Sequence, residues 1–293
     1  MRTLFVFGIL LFALHDTRAD EREAVAVKAI EELGGAVTRA DAKPGKSVVA
    51  VSFVGTQVAD AALKELAPLT ELTTLDLTLT RVTDAGLKEL APLKSLTHLN
   101  LRGTRVTDAG VKAFVSLKNL NHVNLGNTQV TDAGLKHLLP LTNLTHLNLT
   151  HTKVTDAGLK ELAALIPLTS LNLTSTNVTD TGLKELAPLT NLTTLDLTHT
   201  KVTDAGLKEL APLKNLTTLV LRYAKVTGAG LKELAPLKNL TELDLFSTEV
   251  TDTGLKELVA LAKLSSVNLK RTKTTASGVA ELQKALPKCK IER

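Results

Sequence analysis

The chain has 293 residues and a formal net charge of +5, and 44% of its residues are hydrophobic although only 2% are aromatic. Its core must therefore consist of aliphatic side chains, which is typical of a structure whose interior repeats. The small basic surplus is spread along the chain without stacking aromatic residues, so the composition argues against a nucleic-acid-binding protein.

The first 19 residues have the composition of a secretory signal. Arg2 precedes an apolar run over 4–14, and Thr17-Arg18-Ala19 ends in a small side chain that signal peptidases accept. The run is too short to span a bilayer as a helix. We predict a cleaved signal over 1–19, no membrane span after cleavage, and an extracytoplasmic protein, either periplasmic or secreted. An uncleaved anchor is the alternative.

Residues 20–47 are predicted to form an N-terminal cap. Val27, Ile30 and Leu33 share one face of a helix that ends at Gly34-Gly35. The first unit of a repeat structure exposes an apolar side that a cap must cover. We expect these three side chains to cover it.

A 24-residue pattern fills most of the remaining chain. It is clearest from Leu72, where the sequence runs L-T-T-L-D-L-T-L-T-R-V-T-D-A-G-L-K-E-L-A-P-L. The register restarts at Leu96, Leu120, Leu144, Leu168, Leu192, Leu216, Leu240 and Leu264, and a less regular unit begins at Val48. We predict ten repeats over 48–286 without an insertion, followed by a C-terminal cap tail over 287–293.

Each repeat contains two periodicities. Apolar residues alternate at Leu75 and Leu77, which predicts a short strand, and they then recur every third residue from Leu87, which predicts a helix of two to three turns. Thr83 or Asp84 can cap that helix. The glycine at 86 recurs in every later repeat, and glycine costs ~1 kcal/mol inside a helix, so we expect a close approach between neighbouring helices there.

The pattern L-x-x-L-x-L-x-x-T-x-V-T-D-A-G-L-K-E-L-A-x-L resembles the leucine-rich repeat family, and most closely its bacterial T-D-A-G-L subclass, which is similar to the repeats of F-box adaptor proteins. The resemblance implies an α/β solenoid, or horseshoe, with a parallel β-sheet on the concave face and helices on the convex face. Many relatives carry Asn or Cys where this chain has Thr80 and its equivalents. A threonine hydroxyl can still bond the backbone of the turn.

Cys289 is the only cysteine, so no disulfide can form within the chain. We interpret it as a partly buried residue of the C-terminal cap. An intermolecular disulfide is the alternative.

In this family ligands usually lie on the concave sheet, where two rows of polar side chains are expected. His98, His122 and His146 fall in register in the first row. The second row contains Asn100, Asn124 and Asn148. We interpret both sets as a secondary polar ladder for a ligand. Stacked imidazoles could share a divalent metal, although we predict no metal and no cofactor. We expect neutral rings at pH 7, since stacked imidazolium ions repel one another.

A second candidate site lies in the ninth repeat region and consists of Val220, Arg222, Tyr223, Phe246 and Arg271. Other repeats carry small or polar residues at these positions, and Tyr223 is the only tyrosine. Exposed aromatic residues beside arginine are typical of interface anchors. Neutral drift of one repeat is the alternative.

Catalysis is not predicted. Glu242 and Asp244 could cleave a glycoside, but Arg222 and Lys270 are expected to pair with them, and no motif for a nucleophile or a phosphate is present. We therefore predict a non-catalytic binding scaffold for a protein or glycan partner. The alternative is a structural, self-assembling protein of the cell envelope, since near-identical repeats offer little variation for a selective site.

Overall fold

The computed structural model describes residues 20–42 and 47–293. The predicted signal over 1–19 lies outside the described residues. Within the described ranges, no helix is both long enough and apolar enough to cross a membrane.

The strands form one open, twelve-stranded sheet in chain order. They are β1 (Ala36–Arg39), β2 (Val48–Ser52), β3 (Thr74–Asp76), β4 (His98–Asn100), β5 (His122–Asn124), β6 (His146–Asn148), β7 (Ser170–Asn172), β8 (Thr194–Asp196), β9 (Thr218–Val220), β10 (Glu242–Asp244), β11 (Ser266–Asn268) and β12 (Lys290–Glu292). β1 and β2 are antiparallel, and every later pair is parallel with partners 24 residues apart. This register is the one that the repeat predicts.

A helical segment follows each repeat's strand. The α-helices are α1 (20–32), α2 (Asp108–Phe114), α3 (Asp132–Leu135), α4 (Asp156–Leu162), α5 (Asp180–Leu183), α6 (Asp204–Leu207), α7 (Asp252–Leu255) and α8 (Ala276–Ala285). The 3₁₀ segments are Ala40–Ala42, Asp60–Leu66, Gly86–Leu90, Lys136–Leu138, Lys184–Leu186, Lys208–Leu210, Leu231–Leu234 and Lys256–Ala260.

These segments are tighter than the predicted helices of two to three turns. Most are 3₁₀ or mixed, because a 3₁₀-helix rises ~2.0 Å per residue and spans the convex side with fewer residues. The architecture is an α/β leucine-rich-repeat solenoid, or horseshoe, with the parallel sheet on the concave face and the helical segments on the convex face, as predicted.

The core is a continuous stack of leucines. Leu75, Leu77, Leu87 and Leu90 are fully buried, and their equivalents are buried in every repeat except at Val279 of the last one, which is partly buried. Thr80 and its equivalents are also buried. In most repeats the threonine hydroxyl donates to the backbone carbonyl three residues earlier. The threonine hydroxyl therefore bonds the backbone of the turn, as expected.

The T-D pair that recurs every 24 residues in most repeats builds a second ladder, which we call the Asp–Thr staple. The carboxylate of Asp108 accepts from both the backbone N–H and the hydroxyl of Thr131, at 2.8 and 2.7 Å. The Thr131 hydroxyl in turn caps its own helix by accepting from the N–H of Ala133. Threonine is therefore the N-cap, whereas aspartate joins one repeat to the next.

The staple also explains the recurrent glycine. A Cβ at Gly86 would lie 2.5 Å from Oδ1 of Asp60 and 2.9 Å from its Cα. The predicted close approach is therefore present, but it is made to the stapling aspartate of the preceding repeat.

The two ends differ from the repeats. Val27 and Ile30 of α1 are buried against the first repeat together with Ala26, whereas Leu33 is 42% exposed and does not serve the cap as expected. At the other end, β12 adds to the sheet beside β11, and the side chain of Gln283 donates to the carbonyls of Leu286 and Cys289.

Candidate functional site

The turn after each strand fixes the geometry of the candidate patch. In most repeats the last strand residue is Asn or Asp, whose Oδ1 accepts from the backbone N–H two residues later, as between Asp244 and Phe246 at 2.9 Å. The residue after that N–H donor, such as Ser247 after Phe246, then adopts a left-handed backbone conformation. Residues in this column include Leu79, Asn127, His151, Ser175, His199, Tyr223, Ser247 and Arg271.

Four of the five predicted patch residues come together at this edge of the sheet. The rings of Tyr223 and Phe246 meet edge to face, with centroids 5.3 Å apart and planes at 69°. The guanidinium of Arg222 lies 4.7 Å from the Phe246 centroid, and that of Arg271 lies 5.4 Å from it. Phe246 therefore carries two cation–π contacts.

A fifth member was not predicted. His199 stacks on Tyr223 with centroids 4.0 Å apart and planes at 6°. Its position 24 residues before Tyr223 in the left-handed column was the signal that could have found it. We call His199, Arg222, Tyr223, Phe246 and Arg271 the Tyr223 patch.

Val220 lies apart from these rings. It ends β9 in register between Asp196 and Asp244, and it replaces the side chain that would accept from the backbone N–H two residues later. The same repeat has Ala224 in place of the buried threonine and Gly228 in place of the stapling aspartate. This repeat therefore departs from the pattern at three structural positions as well as in the patch.

The charges around the patch are partly paired. Nε of Arg222 lies 3.7 Å from Oδ2 of Asp244, as expected. Lys270 pairs at 2.8 Å with Glu292 of β12 instead of the carboxylates of β10, because β12 continues the sheet on that side. Two hydrogen bonds from Lys270 and Lys290 lower the pKa of Glu292 to about 2.

The carboxylates considered for catalysis already have structural partners. Asp244 accepts from the N–H of Phe246 and pairs with Arg222. Glu242 is exposed, and its Oε2 accepts from the hydroxyl of Thr218 at 3.5 Å.

The polar ladder forms a second site on the sheet. The rings of His98, His122 and His146 stack with centroids 4.1 and 3.8 Å apart and planes within 17° of parallel. We call these three residues the histidine column. It lines a groove of about 420 Å³ together with Asn100, Asn124 and Asn148.

Neighbouring side chains determine which ring nitrogen of each histidine in the column donates a hydrogen bond. The Thr97 hydroxyl donates to the carbonyl of Thr73, so it must accept from Nδ1–H of His98 at 2.8 Å. Thr145 has the same arrangement beside His146, at 2.9 Å. Nδ1 of His122 lies 2.7 Å from Oδ1 of Asn121. Each ring therefore carries a proton on Nδ1, and a neutral ring leaves its Nε2 lone pair available.

Two rings of the column, those of His122 and His146, are also held neutral. Burial, followed by repulsion from His146 and His98, lowers the pKa of His122 to about 4. Burial, followed by repulsion from His98, lowers the pKa of His146. For these two rings, the neutral form expected at pH 7 follows from both causes.

The asparagines of the groove stabilise the turns that follow their strands. Oδ1 of Asn124 accepts from the N–H of Gly126 at 2.9 Å, and Oδ1 of Asn148 accepts from the N–H of Thr150 at 2.9 Å. Because a backbone N–H can only donate, the amide nitrogen of each side chain must point away from the turn. Neither nitrogen has an acceptor among the described residues.

No group of three or more His, Cys, Asp or Glu side chains in the described ranges could hold a metal ion. Lone pairs of stacked imidazoles lie in parallel ring planes, so they do not converge on one ion. Cys289 is buried in the C-terminal cap, and burial raises the pKa of its thiol. That environment favours the cap interpretation over an intermolecular disulfide.

Comparisons with known proteins agree with the repeat and the fold. One leucine-rich-repeat profile matches residues 94–154, and a second matches residues 69–91, 165–187, 189–211, 213–235 and 237–259. The chain belongs to the leucine-rich repeat family. No curated protein gives a significant match.

Among solved structures, the chain is similar to an internalin, InlF, from Listeria monocytogenes, with a TM-score of 0.62 and 22% identity over 92% of this chain and 87% of that one. Internalin C2 from the same organism gives a TM-score of 0.48 and 26% identity over 78% of this chain and 81% of that one. The first likeness supports the fold.

Proposed function

We propose that this protein is a non-catalytic scaffold that binds another protein through the Tyr223 patch. The observation that carries the proposal is the cluster itself: three consecutive repeats carry Tyr223, Phe246 and two arginines where most other repeats have small or polar residues, and these side chains contact one another. Aromatic residues and arginine dominate the binding energy of protein interfaces.

Preorganisation supports this assignment over neutral drift. Tyr223 is 39% exposed, yet its ring is fixed by the stack on His199 and the edge contact with Phe246. A side chain that is immobilised before binding loses little entropy when a partner arrives. Val220, two residues before Arg222, places an apolar side chain where the other regular repeats carry Asn or Asp.

Two further assignments accompany this proposal. The composition of residues 1–19 leads us to place the protein outside the cytoplasm, in the periplasm or secreted. The T-D-A-G-L helix start leads us to assign it to the subclass similar to the repeats of bacterial proteins and F-box adaptors.

The test is partner capture from an extract of the source organism by the full chain and two variants. Tyr223→Ser with Phe246→Thr introduces residues that other repeats carry at the same positions, so the fold should persist. The matched control is His151→Ser, in the same left-handed column three repeats away. We expect one specific protein to be captured by the wild type and the control and lost by the double variant.

Two other results would redirect the assignment. Capture that survives the double variant would remove the patch from the function. Concentration-dependent oligomers in sedimentation velocity, with no foreign partner captured, would favour the self-assembling envelope protein.

A further inference from the structure

The groove along the histidine column presents a repeating pair of hydrogen-bonding groups. Each of its three strands offers an Nε2 acceptor from histidine, and β5 and β6 also offer a free amide donor from Asn124 and Asn148. The rings follow one another at 4.1 and 3.8 Å between centroids, and the strands that carry them are ~4.8 Å apart. Because His122 and His146 are neutral, a ligand needs no charge to match them.

We propose that this groove is a second binding site, for a neutral oligosaccharide. Each hydroxyl of a sugar both donates and accepts, so it can satisfy an imidazole nitrogen and an amide N–H at once. The site shares no residue with the Tyr223 patch. That patch follows β9, which is four strands from β5 in the sheet. It therefore does not depend on the protein partner proposed above.

The alternatives fit the groove less well. An extended peptide repeats its outward groups every two residues, ~6.6 Å, which is out of step with the strand spacing. The ammonium groups of a polyamine could donate to the imidazole nitrogens, but they could not accept from the amide N–H groups. A metal ion would need converging lone pairs, and those of the stacked rings are parallel.

The groups are also fixed in advance. Three side chains hold Nδ1–H of the rings, and two backbone N–H groups hold the oxygens of the free amides. Rotation of a ring would break one of these bonds. A sugar would therefore meet the donors and acceptors already oriented, which lowers the entropic cost of binding.

The experiment uses the full chain, with cellotetraose and chitotetraose as probes, followed by long-range ¹H–¹⁵N spectra of the histidine rings and by isothermal titration calorimetry. We expect one of the two to shift the Nε2 resonances of the column and leave His199 unchanged. His122→Thr, which introduces the residue found at Thr74 and Thr194, should weaken its affinity at least fivefold. His151→Asn, outside the groove, should change it less than twofold.

Three results would overturn the proposal. The first is the absence of shifts in the column at millimolar concentrations of both probes. The second is an affinity that His122→Thr leaves unchanged. The third is binding that requires added Zn²⁺ and disappears with a chelator. Loss of protein capture through the Tyr223 patch bears on none of these readouts, so the two sites can fail separately.

Discussion

The carboxylate of Asp156 accepts hydrogen bonds from both the backbone N–H and the hydroxyl of Thr179, 23 residues later, at 2.8 and 2.6 Å. The same pair of bonds runs from Asp60 to Thr83 and through every repeat junction up to Asp204 and Thr227. It stops at Gly228, where Thr251 has no carboxylate, and resumes from Asp252 to Thr275.

The interruption supplies a matched test of the staple. Thr179→Val removes a hydroxyl that donates to Asp156 and caps its own helix, so we expect a loss of about 1–2 kcal/mol in the free energy of unfolding. Thr251→Val removes a hydroxyl that makes neither bond and should cost less than about 0.5 kcal/mol. Urea unfolding followed by circular dichroism measures both, and equal losses would show that the staple contributes nothing.

The staple also predicts which glycines tolerate a methyl group. Gly134→Ala should destabilise the protein by about 1–3 kcal/mol, because the new Cβ would press on the carboxylate of Asp108 and on Val130. Gly126→Ala, in the same repeat, should change stability little, since other repeats carry threonine at that position. Thermal unfolding of the two variants is the measurement. A tolerated alanine at 134 would contradict the packing described here.

The repeat predicts the strand register completely, because one side-chain pattern recurs at a fixed interval. It places His98 beside His122 and the two rows of polar residues on one face. It does not predict the role of Asp156, because a T-D pair before a helix looks like a local cap. Its true partner lies one repeat away, and only the distance between neighbouring helical segments shows it.

The candidate site, too, was only partly predictable from the sequence. The departures of Arg222, Tyr223, Phe246 and Arg271 from the repeat were visible in the sequence. The stack of His199 on Tyr223 was not, because histidine at that position looks unremarkable beside His151. It depends on the left-handed turn, which brings side chains of consecutive repeats face to face.

The left-handed column predicts a stabilising substitution. Leu79 has φ of 56° and is 59% exposed, although leucine is disfavoured in this conformation. Leu79→Asn introduces the residue found at Asn127 and should raise stability by about 0.5–1 kcal/mol. Leu79→Ala removes the same exposed side chain but keeps the strained conformation, so it should give no gain. The melting temperatures of the two variants decide between backbone strain and lost contacts.

The histidine column predicts how stability depends on pH. The pKa of His122 falls from 6.5 to about 4 on folding, so between these two values the unfolded chain binds the proton and the folded chain does not. Stability should therefore decrease as the pH is lowered from about 6.5 towards 4. Among the residues that the structure describes, Asp76 is the one acidic side chain that lines the groove, and it accepts from the backbone N–H of Thr78 and the amide of Asn100.

His122→Thr should flatten this part of the profile, since it removes both the ring with the lowered pKa and the repulsion that it shares with His146. His151→Asn, which removes an exposed histidine outside the column, should leave the slope as it is. Chemical unfolding at a series of pH values from 4 to 7 measures the slope for each protein. Because the acidic groups are the same in all three chains, their protonation near pH 4 cancels in the comparison. A wild-type slope that survives His122→Thr would show that the ring titrates normally and that the column is not held neutral by its burial.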